Sequence, residues 1–191
     1  MEDRTVAAGM RWVVSKADVL RALREGEQGA SERLGAISPE RFEQGSFEQG
    51  WNARQTLAHV ASMEALYRGM ITVLTGRRSV DEDAPGPPPG AHAPDPEEGD
   101  EEGDEDESVS FEVLFQAMID ERADATPAAL LGEFRRHRRG LIRIVAETDE
   151  ALLCRPLGSP ETPDESLAAT VCQHVLHVNA HVSQIVRSIT V

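Results

Sequence analysis

Two histidines near the end of the chain have a spacing that suits metal binding. His177 and His181 are four residues apart. On a helix this spacing leaves the two Cβ atoms about 6 Å apart, with both rings able to lean to one point. The pair alone is a weak signal, because it often occurs by chance. A third ligand must come from another helix, and His59 is the other histidine that falls on an inner helix face.

Together, His59, His177 and His181 predict a site for one divalent metal ion. Imidazole ligands favour zinc, nickel or iron and disfavour magnesium and calcium. Three protein ligands leave at least one coordination position for water or a substrate, which is typical of catalytic metal sites. The spacing leaves two alternatives open, which are hydrogen-bonded core histidines and an acid-sensitive latch.

Other polar residues near these positions are placed less well for this chemistry. His174 precedes His177 by three residues, and it can replace one ligand or act as a hydrogen-bond partner of a ligand. Cys172 lies about 140° from His177 around a helix, so we do not expect it to join the site. Glu64 and Tyr67 lie off the predicted stripe of His59. We expect them at the helix surface or the rim, and we assign neither a role.

The predicted second helix carries His59. Asn52 and Gln55 form a capping box at its start, and Gly76 closes its far end. Five residues at spacings of four and three form one stripe, which we expect to face the core. They are His59, Met63, Leu66, Met70 and Val73.

The predicted last helix carries the other histidines. Thr162, Pro163 and Glu165 form a capping box with proline in the first turn, and the helix extends to about Ile189. Its three histidines cluster within about 60° of arc, centred about 90° from an apolar face. That apolar face consists of Val171, Val175, Val178, Val182, Ile185 and Ile189.

Two further long segments have apolar residues at helical spacing, and no stretch alternates convincingly like a strand. One covers about 15–37, and the other begins at Thr126 and Pro127, after a short helix at 111–120. We therefore predict an all-α fold, a four-helix bundle, in a single domain over residues 1–191.

The acidic residues are concentrated in one segment. The chain has 34 acidic and 19 basic residues and a formal charge of -15, and 13 of the acidic residues lie between Asp81 and Glu107, where there is no Lys or Arg. Residues 77–110, which include His92, offer almost nothing to bury. We predict a long disordered loop between the second and third long helices, which then run parallel. We interpret the loop as a solubilising spacer, with a docking or regulatory tail as the alternative.

Outside this segment the charges nearly balance, so the sequence lacks the broadly basic face that nucleic-acid binding needs. The one dense basic run, at 135–139, wraps around a helix and contains His137, which we expect in solvent. No apolar run approaches the roughly 20 residues that span a bilayer, and residues 1–10 do not resemble a signal peptide. We expect a cytoplasmic protein that binds no nucleic acid and no membrane.

Two motifs resemble those of the DinB-like superfamily. The run from Gly50 to Val60, in which Trp51 precedes His59 by about two turns, is similar to the start of that superfamily's second helix. The run from His177 to Ile185 resembles its last-helix signature, HxxxHxxQI, and residues 126–153 resemble its third helix. The resemblance covers nearly all of the chain except the acidic loop.

The resemblance implies an up-down-down-up four-helix bundle, a metal site at His59, His177 and His181, and a homodimer, which is frequent in the superfamily. Its members include thiol-dependent transferases and isomerases that use mycothiol or bacillithiol. Our first hypothesis is a metal-dependent enzyme in which a low-molecular-weight thiol attacks a small electrophilic substrate. The alternative is a non-catalytic metal-binding module, associated with stress or sensing, that docks partners through the acidic loop. A plain helical domain without an ion is the third interpretation.

Overall fold

The described part of the chain folds into helices. In a computed structural model, the structure describes residues 14–45, 50–77, 111–157 and 165–189. Within these ranges there are a short 3-10 helix at Pro39–Glu43, six α-helices and no β-strand. The α-helices are α1 (Lys16–Gly35), α2 (Ala53–Leu74), α3 (Phe111–Asp120), α4 (Pro127–Glu147), α5 (Glu150–Leu153) and α6 (Leu167–Ile189). The prediction of an all-α fold is confirmed.

Local sequence explains where α2 and α4 begin. Asn52 and Gln55 form the predicted capping box, in which each side chain bonds to the other's backbone. The Thr126 side chain caps α4, and Pro127 occupies its first turn. Gly76 follows the end of α2 with a φ of 66°, a left-handed conformation that favours glycine. These helix limits were therefore readable from the sequence.

The start of α6 differs from the prediction. Glu165 lies outside the helix, and its carbonyl oxygen accepts a hydrogen bond from the Leu157 amide at 2.8 Å. The backbone there pairs with the preceding segment instead of forming a helical turn, so α6 begins at Leu167. Thr162 and Pro163, which belong to the same prediction, lie outside the described residues.

The four long helices α1, α2, α4 and α6 pack against one another, and their apolar side chains form two clusters. All six residues of the predicted apolar face of α6 are buried. The first cluster includes Leu57, Val60, Leu130, Phe134, Val178 and Val182. The second includes Leu23, Ile71, Leu141, Val145, Val171 and Val175.

A group of buried polar side chains lies at the boundary between the two clusters. Glu64 on α2 and Arg138 on α4 each fall along their helix between residues of the first cluster and residues of the second. His174 on α6 contacts Glu64 from the side of the second cluster. The side chains of Glu64 and Arg138 are 0% exposed. The prediction that Glu64 lies at the helix surface is therefore wrong, because a partner on another helix compensates its charge.

The predicted inner stripe of α2 is only partly buried. His59 and Met63 are buried, whereas Leu66 is 40% exposed and Val73 is 76% exposed. The early part of the stripe lines a cavity, and in the late part Met70 packs half-buried against the second cluster while Val73 is exposed. The expectation that the whole stripe faces the core is thus wrong, because apolar periodicity shows which residues share a face but not how far neighbouring helices cover that face.

Some predictions concern residues that the structure does not describe. Apart from Arg77, which pairs with Glu147 at the end of α4, the predicted loop at 77–110 and His92 within it lie outside the described residues. The single domain over 1–191 stays a prediction. None of the helices in the described ranges is long and apolar enough to cross a membrane.

Candidate metal centre

The structure brings the three predicted histidines together. One potential ligand nitrogen from each of His59, His177 and His181 lies within 4.8 Å of the other two. The ring centroids are 5.0 Å apart for His59 and His181, and 4.5 Å apart for His177 and His181. His59 and His181 are buried and His177 is exposed. The cluster therefore joins α2 to α6 at a wall that solvent can reach.

A hydrogen bond fixes the direction of the His181 ring. Its Nδ1 lies 2.8 Å from Oε1 of Gln184. An amide oxygen only accepts, so Nδ1 of His181 carries the hydrogen and its Nε2 keeps a lone pair. That Nε2 lies 3.1 Å from Nε2 of His177. Gln184 thus orients the His181 ring, a role that the sequence motif contained but that we had not assigned.

The environment favours neutral imidazoles. Burial, with further contributions from charge on His181 and His177, lowers the pKa of His59 to about 4. Burial is also the main cause that lowers the pKa of His177, and charge on His181 adds to it. Burial lowers the pKa of His181 as well, against the hydrogen bond with Gln184, which raises it. Neutral rings keep the lone pairs that a metal ion needs.

These residues fit a metal ion. The 3.1 Å between the Nε2 atoms of His177 and His181 is close to the roughly 3.3 Å between two nitrogen ligands of tetrahedral zinc, since each bond is about 2.05 Å long. Nδ1 of His59 is buried and has no hydrogen-bond partner in the described part of the chain. Three uncharged nitrogens suit zinc, nickel or iron.

The triad lies in the wall of a cavity of about 730 Å³. Trp51 and Phe115 cover His59, with ring centroids 5.2 Å and 5.4 Å from its own. Among the described residues, no Asp, Glu, Lys or Arg lines this cavity. The lining side chains are Trp51, His59, Met63, Tyr67, Phe115, Gln116, Gln173, His174, His177 and His181. A cavity of this size is typical of small-molecule sites.

His174 lies beside the triad but is not one of its three converging residues. Its Nε2 lies 3.0 Å from Oε2 of Glu64, and the Tyr67 ring stacks on it with centroids 3.9 Å apart and planes 12° apart. Of the two roles that the sequence left open, the ring orientation favours a hydrogen-bonding role over replacement of a ligand. Tyr67, to which we had assigned no role, belongs to the wall of the cavity.

Arg138 holds Glu64 through a bidentate ion pair. Its Nε and Nη2 donate to the two carboxylate oxygens at 2.7 Å and 2.8 Å. Burial would raise the pKa of Glu64, but the hydrogen bond with His174 and the charge of Arg138 outweigh it and lower the pKa. The carboxylate is therefore charged. In the sequence, the one signal for Arg138 was its helical phase, which it shares with the apolar residues Phe134 and Leu141 rather than with the rest of the basic run.

His137 is not where we predicted it, whereas Cys172 lies outside the histidine triad as expected. His137 is half-buried, with its Nδ1 3.3 Å from Nη1 of Arg68 and its Nε2 3.8 Å from Glu133. The expectation of a solvent position is wrong, because neighbouring helix surfaces enclose part of the basic run. Cys172 is half-buried against the second apolar cluster, and it is not among the converging ligand residues.

The described geometry defines an all-helical protein with a histidine triad at a cavity wall. Residues 10–185 match the family model of the DinB superfamily, and the chain belongs to this superfamily. No curated protein matches its sequence. An uncharacterised protein from Escherichia coli UTI89 has a similar solved structure, with a TM-score of 0.63, 13% identity and coverage of 96% of this chain and 99% of that one.

A second similar structure corrects one prediction. The colibactin self-resistance protein ClbS, solved in complex with a dsDNA, has a TM-score of 0.58, 11% identity and coverage of 90% of this chain and 95% of its own. The expectation that excluded nucleic acid is therefore wrong. It rested on overall charge balance, which does not report how charges are distributed over a surface. The homodimer and the small-molecule substrate stay predictions.

Proposed function

We propose that the chain is a metal-dependent transferase or isomerase that joins a low-molecular-weight thiol to a small electrophile. The convergence of His59, His177 and His181 within 4.8 Å is the observation that supports it most. In this proposal the three imidazoles hold one zinc, nickel or iron ion. When bound, the ion supplies Lewis-acid chemistry that stabilises a thiol as its thiolate, the nucleophilic form.

The residues around the triad have separate tasks in this proposal. Gln184 keeps Nε2 of His181 unprotonated through its hydrogen bond. Trp51 and Phe115 exclude water beside His59. The cavity volume of about 730 Å³ accommodates a small electrophile beside the sulfur. In a transfer to an aryl halide, the sulfur–carbon bond forms, the carbon–halogen bond breaks, halide leaves and the thiol proton goes to solvent, so the step needs no oxidant.

A conjugation assay tests the proposed activity. Tag-free protein, loaded with metal, is mixed with mycothiol or bacillithiol and with chlorodinitrobenzene, and product formation is followed by absorbance. We expect catalysis by the native protein and by His137→Ala, whose histidine lies outside the cavity. We expect background rates for His181→Ala. Equal rates for the native protein and His181→Ala would remove the proposal.

The proposal includes the arrangement of the whole chain. The four long helices form a four-helix bundle with up-down-down-up topology in one domain over 1–191, and residues 77–110 form the long connection that this topology needs. A cytoplasmic location goes with it, because a thiol cosubstrate and the free thiols of Cys154 and Cys172 suit a reducing compartment.

A non-catalytic metal-binding module is the second candidate. It is favoured by the 13 acidic residues between Asp81 and Glu107, which give a docking segment its charge. In this version the metal mainly links α2 to α6. Stripping the metal should then lower the melting temperature while partner binding remains, and deleting the acidic segment should abolish partner binding.

Binding of dsDNA is a third candidate, and exposed arginines on α4 favour it. Arg136, Arg139 and Arg143 are exposed and follow at spacings of three and four residues, so they lie along one side of the helix. Fluorescence polarisation with a short duplex tests this. Binding should weaken as salt rises from about 50 to 200 mM, and substitution of all three by Ala should reduce the salt dependence. Absence of binding at the lower salt would exclude it.

A further inference from the structure

The wall of the cavity is aromatic and uncharged. Trp51, Tyr67 and Phe115 supply rings, Met63 supplies a thioether, and Gln116 and Gln173 supply amides. A charged group that entered this wall away from the metal position would give up water without meeting an opposite charge, which is costly. Flat, uncharged ring systems instead gain both apolar burial and ring contacts there. The lining of the described residues therefore selects for a planar, uncharged body.

One atom in this wall lacks a hydrogen-bond partner. Nδ1 of His174 is buried and has no partner among the described residues, although His174 lines the cavity. The other ring nitrogen, Nε2, faces the charged carboxylate of Glu64 at 3.0 Å. Because a carboxylate only accepts, Nε2 carries the hydrogen, and in the tautomer with this single hydrogen Nδ1 is an acceptor.

The orientation of this acceptor is fixed from three sides. Arg138 holds both oxygens of Glu64, Glu64 holds Nε2 of His174, and Tyr67 lies parallel to the imidazole at 3.9 Å. Gly26 leaves room for Arg138, since a Cβ there would lie 3.2 Å from its Nη1. A half-turn of the imidazole would place a carbon, Cε1, where Nε2 now meets Glu64, so the hydrogen bond at 3.0 Å favours the observed orientation.

We propose that the cavity binds an uncharged, ring-bearing ligand with one N–H or O–H donor, and that Nδ1 of His174 accepts the hydrogen bond from this donor. The inference rests on the proposed function in one respect. It takes this ligand to be the electrophile, which occupies the cavity beside the metal position. Nδ1 has almost no contact with solvent. The donor therefore reaches it only when a side chain of the cavity wall moves aside on binding.

Indole and N-methylindole are matched probes for this proposal. Both are flat and uncharged, neither is a good metal ligand, and only indole has an N–H donor. Binding to the full-length, tag-free protein is measured by calorimetry or ligand-observed NMR, in metal-loaded and in chelator-treated samples. We expect indole to bind about fivefold more tightly than N-methylindole in both samples, the ratio that one net hydrogen bond provides. Failure of indole to bind in either sample, or equal affinity for the two probes, would overturn the proposal.

A charged probe tests the selection for an uncharged body. Indoleacetate shares the indole ring and its N–H but carries a carboxylate. In chelator-treated protein, where no ion attracts the carboxylate, we expect it to bind at least about tenfold more weakly than indole. Equal or tighter binding of indoleacetate in that sample would contradict the ligand class that the wall indicates.

His174→Phe tests the acceptor itself. Phenylalanine keeps a ring against Tyr67 but has no acceptor, so the preference for indole over N-methylindole should disappear. His137→Phe is the matched control, because His137 does not line the cavity, and it should keep the preference. A preference that survives in His174→Phe would overturn the assignment.

A measurement on the native protein covers the case in which His174→Phe does not fold. The imidazole nitrogen resonances of His174 report its tautomer directly. We expect hydrogen on Nε2, none on Nδ1, and a shift of the Nδ1 resonance with indole but not with N-methylindole. Hydrogen on Nδ1, or no response to indole, would overturn the proposal. Because these readouts include chelator-treated protein, they stand or fall separately from the metal site and the conjugation activity.

Discussion

His181 and His177 place their Nε2 atoms 3.1 Å apart, while Gln184 takes the hydrogen on the other nitrogen of His181. Two bare lone pairs at this distance would repel each other, so either a hydrogen on Nε2 of His177 or a cation lies between the two atoms. His59 approaches the same point from α2. The low pKa of its ring, about 4, keeps His59 neutral, so its free lone pair is available to the ion that we propose for this point.

Removal of His59 should abolish metal binding. Tag-free native protein should contain about one divalent ion per chain, as expected of a three-histidine site. His59→Ala should contain almost none, because two histidines from one helix turn remain. His137→Ala should match the native protein. Elemental analysis by mass spectrometry measures this, and an equal metal content in native protein and His59→Ala would contradict the site.

Loss of Gln184 should weaken metal binding without removing a ligand. Gln184→Leu frees the His181 ring to adopt the other tautomer or to rotate. Residues that orient a ligand typically contribute about 10- to 100-fold to metal affinity, and we expect a loss of that size in a competition assay with a chromophoric chelator. Ser188→Ala is the control, since Ser188 lies one turn further along α6 and its hydroxyl donates to the Ile185 carbonyl. Equal affinities for the two variants would show that Gln184 does not orient the ligand.

Acid should destabilise the metal-free protein through His59. In the unfolded chain His59 takes up a proton near its ordinary pKa of 6.5, whereas the folded protein keeps it neutral until about pH 4. The unfolded state therefore binds more protons between these values. The free energy of unfolding should be highest above pH 6.5 and should fall by up to about 3 kcal/mol as the pH drops towards 4.

Urea unfolding of chelator-treated protein between pH 7.5 and 4.5 measures this dependence. His59→Leu is the comparison, because it removes the titrating ring and retains an apolar side chain. Its stability should decrease less steeply with acid than that of the native protein. If the two slopes coincide, the acid sensitivity comes from other groups.

Substitution of one partner of the Glu64–Arg138 ion pair should lower stability more than substitution of both partners. Removing one partner leaves a buried charge alone, so Glu64→Leu and Arg138→Met should each lower the free energy of unfolding by about 3–5 kcal/mol. The double variant should lose less than either single one, since it leaves neither charge uncompensated. Denaturant unfolding at neutral pH measures all three, and losses that simply add would show that the two charges act independently.

The sequence predicted those parts of the fold that depend on local signals. The caps at Asn52 and Thr126 and the apolar face of α6 follow from residues that are neighbours along one helix. The pairing of His177 with His181 is also local. To add His59 to this pair, we needed a second observation, which was its position on the inner face of another predicted helix. The structure brings His59 to His177 and His181.

Other features could not be predicted because they depend on partners distant along the chain. Glu64 and Arg138 are 74 residues apart in sequence, and each looks like an ordinary surface residue when it is read alone. The start of α6 depends on the pairing of Glu165 with Leu157 in the preceding segment. The partly exposed stripe of α2 reflects how far the neighbouring helices cover it, and hydrophobic periodicity contains no information about that coverage.

The position of Trp51 gives the protein a built-in optical reporter. Its indole lies over His59 and donates a hydrogen bond to Gln116, and the whole chain contains just two tryptophans. A nickel or copper ion at the triad would lie next to this fluorophore and quench its emission, whereas zinc would change it little. Occupancy, exchange rates and competition between metals could thus be followed by fluorescence in unmodified protein, with no attached dye.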